Sequence, residues 1–341
     1  MAVAPHMLAL RDLEAAGRVR LIGGFSPSAD RRAAFAARWG GAGSEARAFE
    51  SLEALLAAPG LDLVLVLTPP AAHLPVAQAA AAAGKHLLVE KPLEFDAARA
   101  AALVETAEAA GVTLGVVFQH RFRPAALRLK AALTAGELGQ PLSASATIRW
   151  WRDAGYFAPP GGGMPGRGMK ARDGGGVLLT QAIHTLDLLL HLMGPVAAAA
   201  AAAFARTSPL RSIDTEDIVA ACLRFGNGAI GTLDATTVAR PGFPERIEIA
   251  GTLGSAMLVA ERLELHREGL PPEIVAGASA GGGGADPMAF DHGPHRAMLA
   301  ELLEAIEQGR PPMNAGASGL AVQRLIEALL RGAGRGEFVT L

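Results

Sequence analysis

The chain has 341 residues, 50% of them hydrophobic and 5% aromatic, a length that fits two domains better than one core. Its 31 basic and 33 acidic residues leave a formal charge of −2, which excludes the electrostatic footprint of a nucleic-acid or anionic-membrane binder. A lone cysteine, Cys222, cannot form an internal disulfide or a thiolate metal site. With no basic-then-apolar leader, and no apolar run of roughly 20 residues free of His, Asp, Arg or Gln, a soluble cytoplasmic protein is expected.

In chain order, residues 1–16 carry apolar side chains at helical spacing, 19–25 read as a short buried strand ending at Ser26, Pro27 and Ser28, and 30–39 as a helix stopped by Gly40 and Gly41. A helix opened by Glu50 or Ser51 runs to Ala58, and a continuous apolar strand, 61–67, stops at Thr68, Pro69 and Pro70. Helix 73–83, strand 86–89, helix 95–110 and strand 112–118 continue the alternation. Strands buried on both faces between helices predict an α/β, doubly wound parallel sheet. Ligands of such sheets lie beyond the carboxyl ends of the strands. This singles out Ser26, Thr68 to Pro70, Glu90 to Pro92 and Gln119 to Arg121, with His73 just past the second turn.

The pattern changes after residue 122, so the domains are expected at 1–122 and 123–341. A helix at 125–136 leads into an alternating stretch, 143–151, a glycine-rich connector, 161–176, and an apolar helix, 177–193. Strand-like runs at 218–225, 228–238 and 245–250, with a hairpin signal at Gly226-Asn227-Gly228, predict a mainly antiparallel sheet. Helices at 294–308 and 317–332 close the chain. Ala197–Ala203 reads as low complexity, and Gly281–Gly284 as a loop tip.

Two features carry chemistry. Glu90-Lys91-Pro92 directly follows the strand 86–89, and a lysine fixed there by a proline points into the ligand crevice; a solvated surface ion pair is the plainer alternative. On the helix 177–193, Thr180, His184 and Asp187 form a polar stripe, and a carboxylate beside a histidine stabilises its imidazolium, tuning an acid or base near neutral pH. A metal ion shared by His184, Asp187 and His191 is the weaker alternative, and no metal is expected. Arg121 and Arg123 either bind an anion or form an inter-domain ion pair. Trp150, Trp151, Arg152 and Tyr156 either wall a sugar site or pack the junction. Asp291, His292 and His295 are expected as cap and first-turn residues of a helix, with a position in the cleft the alternative.

Taken in order, Leu61-Asp62-Leu63-Val64 with Thr68-Pro69-Pro70 and His73, Ala83-Gly84-Lys85-His86 running into Glu90-Lys91-Pro92, Gln119 to Pro124, Gly136-Glu137-Leu138-Gly139, Gly174-Gly175-Gly176 leading to His184 and Asp187, and Phe225 with Gly228 resemble the Gfo/Idh/MocA (glucose-fructose oxidoreductase and inositol 2-dehydrogenase) family over nearly the whole chain. The resemblance implies an NAD(P)-dependent oxidoreductase acting on a sugar, cyclitol or related polyol, with an N-terminal Rossmann domain and a C-terminal α/β domain whose open sheet mediates a homodimer or homotetramer. It also implies that Lys91 contacts substrate and nicotinamide, and that His184 is the acid/base. Arg121, Trp151, Tyr156, Thr180 and Asp187 are the expected substrate residues. Ser26, Ser28, Arg31, Thr68, Pro69, His73, Glu90, Lys91 and Gln119 are the expected cofactor residues.

Two departures from the family pattern stand out. The family's sugar dehydrogenases usually carry an aspartate four residues before the histidine, where this chain has Thr180. The family also opens with a strand and a glycine turn for the pyrophosphate, whereas Met1 falls inside or just after that turn, so the first strand is expected to be missing, roughly 10 to 15 residues. Ser26 and Ser28 with Arg31 and Arg32, in place of an acidic residue, favour NADP(H) over NAD(H). A silent sugar- or dinucleotide-binding relative and an NAD-dependent glycosidase-like enzyme are the alternatives.

Overall fold

The structure is a computed structural model that describes residues 3–40, 46–157, 167–205, 213–277, 291–333 and 337–341. The glycine run 281–284 and part of the connector 161–176 lie outside the described residues. The first half contains α1 (Val3–Ala15), β1 (Gly23–Phe25), α2 (Ala29–Trp39), β2 (Arg47–Phe49), α3 (Leu52–Leu56), β3 (Leu63–Val66), α4 (His73–Ala82), β4 (His86–Val89), α5 (Ala97–Ala109) and β5 (Leu114–Val116). Short side chains set three helix starts by accepting an orphan backbone N–H: Ser28 takes that of Arg31 at 3.3 Å, Ser51 that of Ala54 at 3.1 Å, and Asp96 that of Arg99 at 2.8 Å.

All strand pairs in this half are parallel, but they form two sheets, β1–β2 and β3–β4–β5. Leu87, Leu88 and Val89 are fully buried, as expected of a central strand covered by helices on both faces.

The second half contains α6 (Pro124–Thr134), β6 (Pro141–Arg149), α7 (Ala154–Phe157), α8 (Lys170–Asp173), α9 (Ile183–Met193), β7 (Val196–Ala205), β8 (Glu216–Phe225), β9 (Ile230–Thr236), β10 (Arg246–Gly251), β11 (Gly254–Val259), β12 (Arg262–Arg267), β13 (Glu273–Val275), α10 (Gly293–Glu307), α11 (Gly316–Ala333) and β14 (Val339–Thr340). Its nine-stranded sheet runs β13-β12-β11-β10-β6-β9-β8-β7-β14, antiparallel apart from the parallel β6–β9 pair. Along β8, Val219, Ala221 and Leu223 are buried under the helices while Ala220, Cys222 and Arg224 face out. The alternation leaves one face of the sheet open.

The low-complexity run Ala197–Ala203 is part of the strand β7, which pairs with β8 and packs against α11. The segment Lys170–Met193 is long and apolar enough to cross a membrane by length and composition, yet 78% of its most apolar stretch is buried in the fold, the setting of a core helix. Helices from the second half pack on the first: α10 on α1 and α11 on α5, and one apolar cluster runs from Val66 through Val116 to Leu329.

Candidate active site

The carboxyl ends of β3, β4 and β5 lie side by side and bring Thr68, Glu90, Lys91 and Gln119 to one edge. Glu90 is clamped: one carboxylate oxygen meets His6 Nε2 at 2.9 Å, and the other accepts the Lys91 backbone N–H at 3.0 Å. His6 comes from α1 and is fully buried. The His6, Lys91 and backbone partners hold the Glu90 carboxyl below its ordinary range despite burial. Glu90 therefore fixes the turn that presents Lys91.

Lys91 Nζ donates to the Thr180 carbonyl oxygen at 3.1 Å. Burial lowers the lysine, while Glu90 pulls it back towards the charged form. Thr180 lies in a single π turn, Leu178–Ala182, that runs straight into α9, and such a turn re-aims the following helix. The start of this segment is held by Glu216, whose carboxylate accepts the backbone N–H groups of Gly176 at 3.0 Å and Leu178 at 3.1 Å. Gly176 is required there because a Cβ would lie 1.9 Å from the Glu216 carbonyl oxygen.

His184, the first-turn residue so aimed, stacks on His120 with ring centroids 4.8 Å apart and meets Phe118 edge-on at 6.3 Å. Burial, then Lys91, Arg123 and His295, push its imidazole well below the ordinary histidine range. Lys91 and His184 are thus electrostatically coupled at one place, with the His184 ring uncharged at neutral pH. A cavity of 140 Å³ adjoins Thr180 and is lined by Tyr156, Arg167, Gln181 and Asp217 among others. Gln181 Nε2 donates to the Tyr156 hydroxyl at 2.5 Å, and Arg152 lies over the Trp150 ring at 4.9 Å. Trp151 faces Arg240 instead, at 4.1 Å.

Several expected roles need correction. Asp187 does not stabilise His184 or face a substrate: it is fully buried and takes two hydrogen bonds from Arg121, at 2.7 and 2.5 Å. Arg121 also donates to the Met313 carbonyl oxygen at 2.6 Å and meets His191 Nδ1 at 3.3 Å. It is therefore the inter-domain ion pair, not a substrate residue, and the shared-ion arrangement of His184, Asp187 and His191 gives way to a guanidinium between two of them. His73 is fully buried, with its two ring nitrogens against carbonyl oxygens, Leu93 at 3.1 Å and Thr68 at 2.8 Å. Thr180 spends its hydroxyl proton on the Gly176 carbonyl at 2.7 Å. Ser28 caps α2, Ser26 Oγ accepts the Ser28 N–H at 3.4 Å, and Pro69 precedes a 3₁₀ turn. Arg31 is exposed on the first turn of α2.

His6 has no signal in the sequence, whereas His120 lies in the strand-end segment Gln119 to Arg121 and Gln181 on the polar helix 177–193.

Thr68 Oγ1 and Gln119 Oε1 are buried without a hydrogen-bond partner among the described residues. Orphaned polar atoms of this kind are rare unless a ligand satisfies them, and at the ends of β3 and β5 they fit the carboxamide and ribose of a nicotinamide dinucleotide. Residues 3–118 match the family profile described as "Oxidoreductase family, NAD-binding Rossmann fold", and residues 126–257 match the GFO/IDH/MocA C-terminal domain. Among curated proteins, the chain is 33% identical over 249 residues to 1,5-anhydro-D-fructose reductase of Ensifer adhaerens, covering 70% of this chain and 69% of that one. It is 31% identical to the uncharacterized oxidoreductase YrbE of Bacillus subtilis, an alignment that spans 59% of this chain and 56% of that protein. Among solved structures, the WlbA dehydrogenase of Bordetella pertussis, in complex with NADH and UDP-GlcNAcA, superposes with a TM-score of 0.80 at 26% identity, covering 98% of this chain and 94% of that one. With both domain profiles matched in order and the fold in agreement, the chain belongs to the GFO/IDH/MocA family of oxidoreductases.

Proposed function

We propose that the chain is an NAD(P)-dependent oxidoreductase that moves a hydride between a nicotinamide cofactor and a hydroxyl-bearing carbon of a sugar, cyclitol or related polyol. The observation that carries this reading is the meeting of Lys91 with the Thr180 carbonyl, four residues before His184, at the carboxyl edge of the parallel strands. When bound, the nicotinamide ring supplies the hydride-accepting carbon. Thr68, Gln119 and Lys91 would hold it. The uncharged His184 takes the proton of the reacting hydroxyl as the carbinol carbon is oxidised, and returns it when the reaction runs in reverse. Lys91 orients and polarises the same oxygen. Tyr156 and Gln181, joined by a hydrogen bond on the cavity wall, are placed to meet other substrate hydroxyls. The relatives support the class: one is named a sugar reductase, and another holds NADH beside a nucleotide sugar.

Two finer features complete the proposal. The exposed Arg31 beside the Ser26 and Ser28 hydroxyls favours NADP(H), whereas Arg32 is engaged with the Ser26 carbonyl at 2.9 Å and Glu50 at 3.0 Å. The open sheet face, with a 560 Å³ concavity across β6, β9, β10 and β11, is covered in a homodimer or homotetramer. Incubation with both cofactors and a polyol panel tests the function through nicotinamide absorbance. Net reduction of NAD(P)⁺ is expected, and Lys91→Met and His184→Asn should each lower kcat by about 10² to 10⁴. Product release without net reduction would favour a glycosidase-like route. Saturable cofactor binding with no turnover on any polyol would favour a silent binder.

A further inference from the structure

His120 has no place in the chemistry above, yet it is the residue laid most directly against His184. It belongs to the 3₁₀ turn Gln119–Phe122 that follows β5 and is 5% exposed. The two imidazoles are stacked 25° from parallel at 4.8 Å, and Phe118, from the same segment, closes the other approach edge-on at 88°. One short segment thus grips the His184 ring on a face and an edge, leaving little freedom for its side-chain torsions. Both Nδ1 atoms are buried and lack a partner among the described residues, so hydrogen bonds at those atoms do not fix the rings; packing does.

The charged and titratable groups facing the pair come from three elements: Lys91 from the turn after β4, Arg123 from the turn leading into α6, and His295 from α10. All are basic. Arg123 is itself ion-paired with Glu245 at 2.8 Å and Lys91 lies beside Glu90, and a second proton on the pair would still sit beside the first at stacking distance. His120 itself is held well below the ordinary histidine range by burial, with Arg123 and His184 adding to the effect.

We propose that His120 is a positioning residue for His184: its stacked ring face sets the plane of the acid/base imidazole. The proposal rests on the reading of His184 as the acid/base. It also explains why a second histidine is tolerated in a basic pocket, since a flat neutral ring is what the stack requires.

Three variants of the full chain separate the possibilities. Each is assayed with NAD⁺ and NADP⁺ against myo-inositol and levoglucosan, and each is examined by NMR of ring-¹⁵N histidine across pH. His120→Ala removes the platform, so kcat should fall about tenfold or more with the cofactor and polyol KM values within about twofold. Its acid limb in the kcat profile, and the His184 ring titration seen by NMR, should move up by about one pH unit as solvent reaches the ring. His120→Phe keeps a flat ring and should lose no more than about threefold, with the titration unmoved. His184→Asn should abolish turnover. If His120→Phe is as impaired as His120→Ala, a ring nitrogen is required and His120 is a proton carrier, which overturns the proposal. An unchanged His120→Ala profile and titration also overturns it. If His184→Asn retains turnover, the acid/base reading fails by itself, and the NMR titration still reports whether His120 governs the His184 ring.

Discussion

Replacing Arg121 with Met would leave the Asp187 carboxylate buried without its partner, because both of its hydrogen bonds from the guanidinium vanish at once. Breaking a buried ion pair from one side costs about 3–5 kcal/mol, and the Met313 carbonyl loses a donor worth about 1 kcal/mol more. A loss of about 4–6 kcal/mol in urea unfolding near neutral pH is therefore expected. The sign with pH is distinctive. Burial already raises the Asp187 carboxyl to about 6 with Arg121 in place, and removing the guanidinium raises it further. A carboxyl whose folded value lies above its unfolded one contributes full stability at low pH and loses it as pH rises through the folded value. The Arg121→Met defect should accordingly be full in alkaline solution and shrink as the pH falls towards about 6, as Asp187 takes a proton in the variant. Adding Asp187→Leu should recover at least half the loss, since an apolar pair of similar volume removes the stranded charge. A defect under about 1 kcal/mol, a defect independent of pH, or a further loss on adding Asp187→Leu would refute the reasoning.

Gly176→Ala should destabilise the chain by more than about 2 kcal/mol and lower kcat, because its Cβ would strike the Glu216 carbonyl and carboxylate that hold the start of the π turn; an unchanged urea midpoint argues against that clamp. Acid should loosen the fold through His295, whose ring is held down to about 4 mainly by burial, with His6 adding to the effect. A depressed folded value contributes stability above the unfolded value that fades as pH falls, so about 3 kcal/mol should be lost between about pH 6.5 and about pH 4, and His295→Leu should flatten that slope. Arg31→Ala should weaken NADPH binding by about 5- to 30-fold, consistent with one charge-assisted contact of roughly 1–2 kcal/mol, while leaving NADH nearly unchanged. Equal loss for both cofactors in calorimetry would remove Arg31 from the 2′-phosphate site.

The parallel half and the Glu90-Lys91-Pro92 turn were legible because their signals are local: apolar runs of strand length, capped helix starts and a proline-fixed turn at a strand end. The antiparallel half was legible only in part. β7 was hidden because alanine has weak strand propensity, and its strand identity comes from pairing with β8. β11, β12 and β13 are short and depend on their neighbours for register. The polar stripe of the helix 177–193 was read with a uniform period. The real segment contains a π turn, and its Asp187 answers an arginine 66 residues away, a pairing no local spacing encodes. The His120–His184 stack escaped for the same reason: stacking depends on two ring planes that only the tertiary fold brings together.

Lys91 is held at its tip by a backbone oxygen rather than by a side chain. Every residue has a carbonyl, so the anchor survives whatever side chain stands at position 180, provided the π turn keeps its path. Position 180 is thereby uncoupled from the lysine it supports. A change there can alter what the cavity accepts without dismantling the machinery beside it, giving the chain a place where a new substrate can be tried at little mechanistic risk.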